Sequence, residues 1–84
     1  MEKQQLERIK ERDRLFLLKP SEIEKLSHSE QYQRMRYERE IEAYCYIQIL
    51  KSGIWHKEAA IEARKQADNI VANWQNETIL RTYI

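Results

Sequence analysis

A single glycine, Gly53, stands in the whole chain. Phosphate-cradling loops and dinucleotide-binding turns need several glycines close together, so both are excluded. The single proline is Pro20, so neither helix breaker interrupts the chain from Ser21 to Ser52. Cys45 is the only thiol. It rules out an intrachain disulfide framework and makes a reducing compartment the plain expectation. With only His28 and His56 beside it, no standard structural zinc set can be assembled. His56-Lys57-Glu58 has the form of one half of a zinc-deaminase site, but the Cys-x-x-Cys half is missing. No cofactor and no metal is expected, and no constellation marks an enzyme.

Neither sign of charge is in excess: 15 basic residues face 14 acidic ones, for a net charge of +1. That balance gives no steering field for nucleic acid or anionic lipid. Apolar runs such as Leu15–Leu18 fall far short of the ~20 residues that span a bilayer. The opening Met-Glu-Lys-Gln-Gln lacks the apolar core of a signal peptide. The expectation is a cytoplasmic protein without a membrane partner.

What is present is helical. Hydrophobic residues make up 42% and charged residues 35% of the sequence, too apolar for simple disorder. Residues 1–84 are expected to form one all-α domain, a small helical hairpin or three-helix bundle completed by oligomerisation. A domain this small buries only about 60% of its unfolded surface, and association is a standard remedy.

The first helix is placed over Glu2–Leu18, with Leu6, Ile9, Phe16 and Leu17 on its apolar stripe and Asp13 interrupting it. Lys19-Pro20 ends it, because the residue before proline is disfavoured in the α region. Ser21–Glu24 and Ser27–Glu30 both have the form of a capping box, serine at the N-cap and glutamate three residues on. They predict a short helical turn over 21–27, a kink, and a long helix over 29–52. Ser52-Gly53 is its stop, with glycine at the position that takes positive φ without steric cost. A third helix is placed over 55–78. Its expected seam is Ala60, Ala63, Ala67, Ile70, Val71 and Trp74, heptad-like but too short to assert a coiled coil. A second, weaker stripe holds Ile54, Ile61, Ala72, Ile79 and Tyr83.

The organising stretch is Ala43–Leu50, Ala-Tyr-Cys-Tyr-Ile-Gln-Ile-Leu. At about 100° per residue, Tyr37, Ile41, Tyr44, Cys45 and Ile49 share one face, and Tyr46 and Leu50 lie opposite. A helix apolar all round is buried all round. In so short a chain, a second copy is expected to cover part of it. The expected interface residues are Tyr44, Tyr46, Ile47, Leu50, Ile54, Trp55, Ile61, Trp74, Ile79 and Tyr83. Five tyrosines and two tryptophans are more than a small core needs, and both types favour interfaces. The leading functional expectation is a non-enzymatic, self-associating protein–protein interaction module: an adaptor, regulator or inhibitor, with a homodimer favoured and an unknown protein partner.

Two other readings have support in the residues. Arg34, Arg36 and Arg39 interleave with Tyr37, the pairing of phosphate contacts with stacking that a small DNA- or RNA-binding regulator uses. Glu30, Glu38, Glu40 and Glu42 intervene, so a solvated face with local ion pairs is favoured. The last reading is an oligomer that binds a small nucleotide between protomers, stacking its base on Tyr or Trp.

Overall fold

The computed structural model describes residues 2–76, which form four α-helices and a closing 3-10 turn: α1 (Lys3–Phe16), α2 (Pro20–Ile23), α3 (His28–Lys51), α4 (His56–Ala72) and the turn Trp74–Asn76. There is no strand among the described residues. The all-α expectation holds, and α3 with α4 is the dominant helix pair.

Gly53 adopts φ +90°, and the amides of Ser52 and Gly53 donate to the carbonyls of Ile49 and Leu50. This tight stop reverses the chain, so Glu42 meets Arg64 and Glu38 lies beside Asp68, as antiparallel helices require. At the other end of α3, Ser27 and Glu30 form the predicted capping box. Glu30 N–H donates to Ser27 Oγ at 3.2 Å, and Ser27 N–H donates to Glu30 Oε1 at 3.4 Å.

The Ser21–Glu24 box does not form. Pro20 takes the first helical position, where its fixed φ suits the helix and its missing N–H is no loss. The cap therefore moves to Lys19, whose amide donates to Glu22 Oε1 at 3.1 Å.

The core is one cluster. From α3 it takes Tyr37, Ile41, Cys45 and Ile49; from α4, Ala59, Ala63, Ala67 and Val71; from α1, Leu15 and Phe16; and Trp74 closes it. Ala63, Ala67, Val71 and Trp74 of the expected α4 seam are buried, while Ala59 takes the place of Ala60 and Ile70 falls outside the buried row. Ala60 is exposed, and Ile70 packs at the core's margin. Both rows repeat every four residues, which advances about 40° round the helix at each step. Such rows wind across the helix surface and interdigitate as ridges in grooves, whereas a coiled-coil seam alternates three and four. Alanines on α4 let the larger Tyr and Ile side chains of α3 come close.

The stripe expected on α1 is also corrected. Leu6 and Leu17 are exposed, while Arg12 and Leu15 are buried. Asp13 does not interrupt the contact but takes part in it, accepting a 2.8 Å hydrogen bond from Trp74 Nε1. Docking is largely polar and runs antiparallel to α3. Arg8 pairs with Glu40 at 2.8 Å, Tyr37 donates to Glu11 at 2.6 Å, and Arg34 donates to the Leu15 carbonyl at 3.3 Å. Three arginines lie over aromatic rings in this layer: Arg8 over Tyr37, Arg12 over Trp74 and Arg34 over Phe16.

Candidate interaction surface

The directions of these contacts define an open side. On α3, the buried row faces α4, and the arc that carries Glu40 and Tyr37 faces α1. The remaining arc holds Arg36, Arg39, Ala43, Ile47 and Leu50, all exposed. Between it and α4 lies a groove of about 190 Å³, lined by Arg39, Glu42, Ala43, Tyr46, Ala60 and Ala63. Tyr46 is half-buried, with its side chain against the core margin. Ion pairs frame the groove, Arg64 reaching Glu42 at 3.2 Å and Asp68 at 3.7 Å. Those carboxylates hold the Arg64 guanidinium even more firmly protonated than usual, chiefly through the Glu42 hydrogen bond.

The residues expected at an interface divide. Ile47, Leu50, Ile54, Trp55 and Ile61 are exposed, Trp55 most of all at 65% with its ring tilted against His56. Tyr44 is exposed beside the α1 contact rather than on the buried row where the helical wheel put it. Trp74 is 1% exposed and belongs to the protomer's own core, so it is withdrawn from the interface set. Ile79 and Tyr83, with the rest of the tail, lie outside the described residues.

The four residues of the nucleic-acid reading are not brought together. Tyr37 is 2% exposed and its hydroxyl is taken by Glu11, so its ring offers no stacking face. Arg34 is tied to Leu15 and Phe16, while Arg36 and Arg39 project from the open side. The mixed sequence concealed this because Tyr37 belongs to the four-residue row of Ile41 and Cys45, and bulk on that row is drawn inward. Arg8 and Arg14 are likewise engaged, with Glu40 and Glu30. The Arg14 hydrogen bond, followed by those from Ser27, holds the Glu30 carboxyl below its ordinary range.

A second concavity, of about 350 Å³, lies under α2, with Ile23, Leu26 and Met35 among its apolar walls and Arg34 and Glu38 among its charged ones. Burial pushes the Glu38 carboxyl up from its usual range. The hydrogen bond and charge of Asp68 add to the shift, while Arg34 and Arg64 oppose it. A carboxyl whose folded pKa is raised binds its proton more tightly in the fold than in the unfolded chain. Its contribution is therefore most favourable below the ordinary carboxyl range and is lost as pH rises through the raised value. Glu38→Gln is expected to raise the melting temperature at pH 7 and to leave it unchanged well below pH 4. Melting curves at the two pH values check this, and an equal shift at both would contradict it.

Among the described residues, no group of three or more His, Cys, Asp or Glu side chains is arranged to hold a metal ion, and no helix is long and apolar enough to cross a membrane. The open side carries exposed apolar residues beside the α3–α4 groove. Compared with protein-family models, curated proteins and solved structures, the chain matches none of them.

Proposed function

We propose that this chain is a non-enzymatic helical interaction module, an adaptor, regulator or inhibitor that self-associates and presents its α3–α4 surface to a protein partner. The observation that carries the reading is the two-sidedness of α3. Ile41, Cys45 and Ile49 are closed beneath α4, yet Ile47 and Leu50 on the far side are just as apolar and stand in solvent. At their fractional exposures, Ile47, Leu50, Ile54, Trp55 and Ile61 together leave on the order of 500 Å² of side-chain surface open, and apolar surface of that extent is often functional. The nucleic-acid reading has less support, because two of its four residues are spent on the contact with α1.

Affinity capture from source cells tests the reading, with wild type run beside a Trp55→Ser/Ile61→Asp double variant. Both positions are exposed; serine is a better N-cap for α4 than Trp55, which offsets the helix-propensity cost of about 0.7 kcal/mol for aspartate at position 61, so the fold is expected to be kept. The wild type is expected to retain partners that the variant loses, and identical capture would count against the reading. Neither protein is expected to bind generic duplex DNA at submicromolar concentration in physiological salt. A tight complex that weakens steeply with salt would replace this reading with the nucleic-acid one.

A further inference from the structure

We infer that the open α3–α4 groove is filled by a second copy of this chain, packed about a two-fold axis with the two α3 helices antiparallel and Ala43 facing the partner's Leu50. The inference rests on the interaction reading above and commits this one surface to one occupant.

Shape is the first argument. A two-fold contact brings the same patch together from both sides, so the patch must be its own complement. A face with only protrusions, or only a hollow, cannot meet that condition. This face has both. Ala43, Ala60 and Ala63 line the groove, and the bulkier Ile47 and Leu50 stand on the same exposed arc of α3. Setting Leu50 of each copy over Ala43 of the other places Tyr46 and Ile47 at the axis. A side chain of leucine size then enters a space of about 190 Å³.

Charge is the second. The groove's border carries Arg39, Glu42, Arg64 and Asp68, equal numbers of each sign, with Arg64 already paired to both acids. Two such borders do not repel, and a net charge of +1 per chain adds little.

Area is the third. Ile47 and Leu50 are the exposed apolar side chains on this arc, and with the groove lining and the exposed Arg39 and Arg64 they form the contact that must approach the ~800 Å² each partner of a standard interface buries. The opposite side of α3 offers no equivalent, because α1 already occupies it.

Two measurements on the full chain test the inference. In sedimentation over a concentration series, the wild type is expected to reach dimer mass by high micromolar concentration. Leu50→Glu is expected to remain monomeric and to lose the dependence of melting temperature on concentration. The second measurement uses a new cysteine, with Cys45 left in place because it is buried. Ile47→Cys, near the axis, is expected to form a disulfide-linked dimer under mild oxidation at least tenfold more readily than Gln66→Cys, an exposed position away from the contact. The crosslink keeps the test open should Leu50→Glu fail to fold. A wild type that stays monomeric at high micromolar concentration, a mass of three or more chains, a Leu50→Glu variant of unchanged mass and melting temperature, or equal crosslinking at the two cysteines would each overturn the inference. A monomer result removes self-association from the interaction reading and leaves its protein-partner half standing, since the capture experiment tests that separately.

Discussion

Trp74→Ala is expected to destabilise the fold by about 3–5 kcal/mol, the range for removing a large aromatic from a packed core. Domains of this size have little more than that in total. The reason for expecting a value high in the range is position. Trp74 lies in the turn that follows α4 and belongs to the common core, and its hydrogen bond, ring contact and cation contact reach α1. Its indole N–H donates to Asp13 at 2.8 Å, its ring meets Phe16 edge-on with centroids 4.9 Å apart, and the Arg12 guanidinium lies 4.9 Å from the ring centre. One side chain therefore fastens the first helix to the end of the hairpin. Removing it loses the transfer energy, leaves a cavity, and exposes a guanidinium-bearing face whose desolvation the ring had shared. Burial already lowers the Arg12 pKa from its usual value. Trp74→Phe keeps much of the packing but loses the indole donor, and its cost should be nearer the ~1 kcal/mol of a single hydrogen bond plus the smaller ring. Urea melts of the two variants measure the difference. Each kcal/mol corresponds to roughly 4–8 °C in a domain this small, so Trp74→Ala should lower the melting temperature by more than about 12 °C. A shift under about 5 °C would show that Trp74 does not fasten α1.

That clamp marks the boundary of what the sequence made legible. The α3–α4 hairpin was readable because its signals are local: one glycine at the reversal, an unbroken helical composition on either side, and a serine and glutamate at capping spacing before α3. The two-sided apolarity of α3 was readable for the same reason. Arg12 was not. Periodicity counts arginine as polar, and only the placement of Trp74 some sixty residues later gives its planar head an aromatic face to lie on. Asp13 was misread on the same grounds, as a break in a stripe instead of an acceptor for an indole. Only the first position of the α4 seam, Ala59 in place of Ala60, was hidden, because the two are chemically identical. Which of them faces inward depends on how the four-residue rows of the two helices cross, and a wheel drawn for one helix does not contain that angle. On the candidate surface, exposure sorted residues that composition had grouped together. Trp55 and Trp74 look alike in sequence, but one stands in solvent beside the Gly53 turn and the other closes the core.

Ile41→Ala is expected to cost about 3–5 kcal/mol, toward the top of the range for truncating a buried isoleucine. The spread in such costs reflects how far the surroundings relax into the space left behind. Ile41 is fully buried in the middle of α3. The antiparallel pairing of Glu42 with Arg64, and of Glu38 with Asp68, sets it level with the stretch of α4 between Ala63 and Ala67. Those two positions have only a methyl group each and no rotamer that can swing into a void. The cavity can close only if the two helix backbones move together, and the flanking Tyr37 and Cys45 on the same row oppose that. The contrast with Ile41→Val is the diagnostic. Removing one methylene should cost about 0.5–1.5 kcal/mol, so the alanine variant should lose at least about twice the stability that the valine variant loses. Denaturant unfolding of wild type, Ile41→Val and Ile41→Ala, with unchanged m-values to confirm that the unfolded states are comparable, provides the measurement. If Ile41→Ala costs no more than Ile41→Val, the cavity has collapsed and the alanine wall of α4 is more yielding than its packing implies. A loss below about 1.5 kcal/mol for Ile41→Ala would go further and remove Ile41 from the centre of the core.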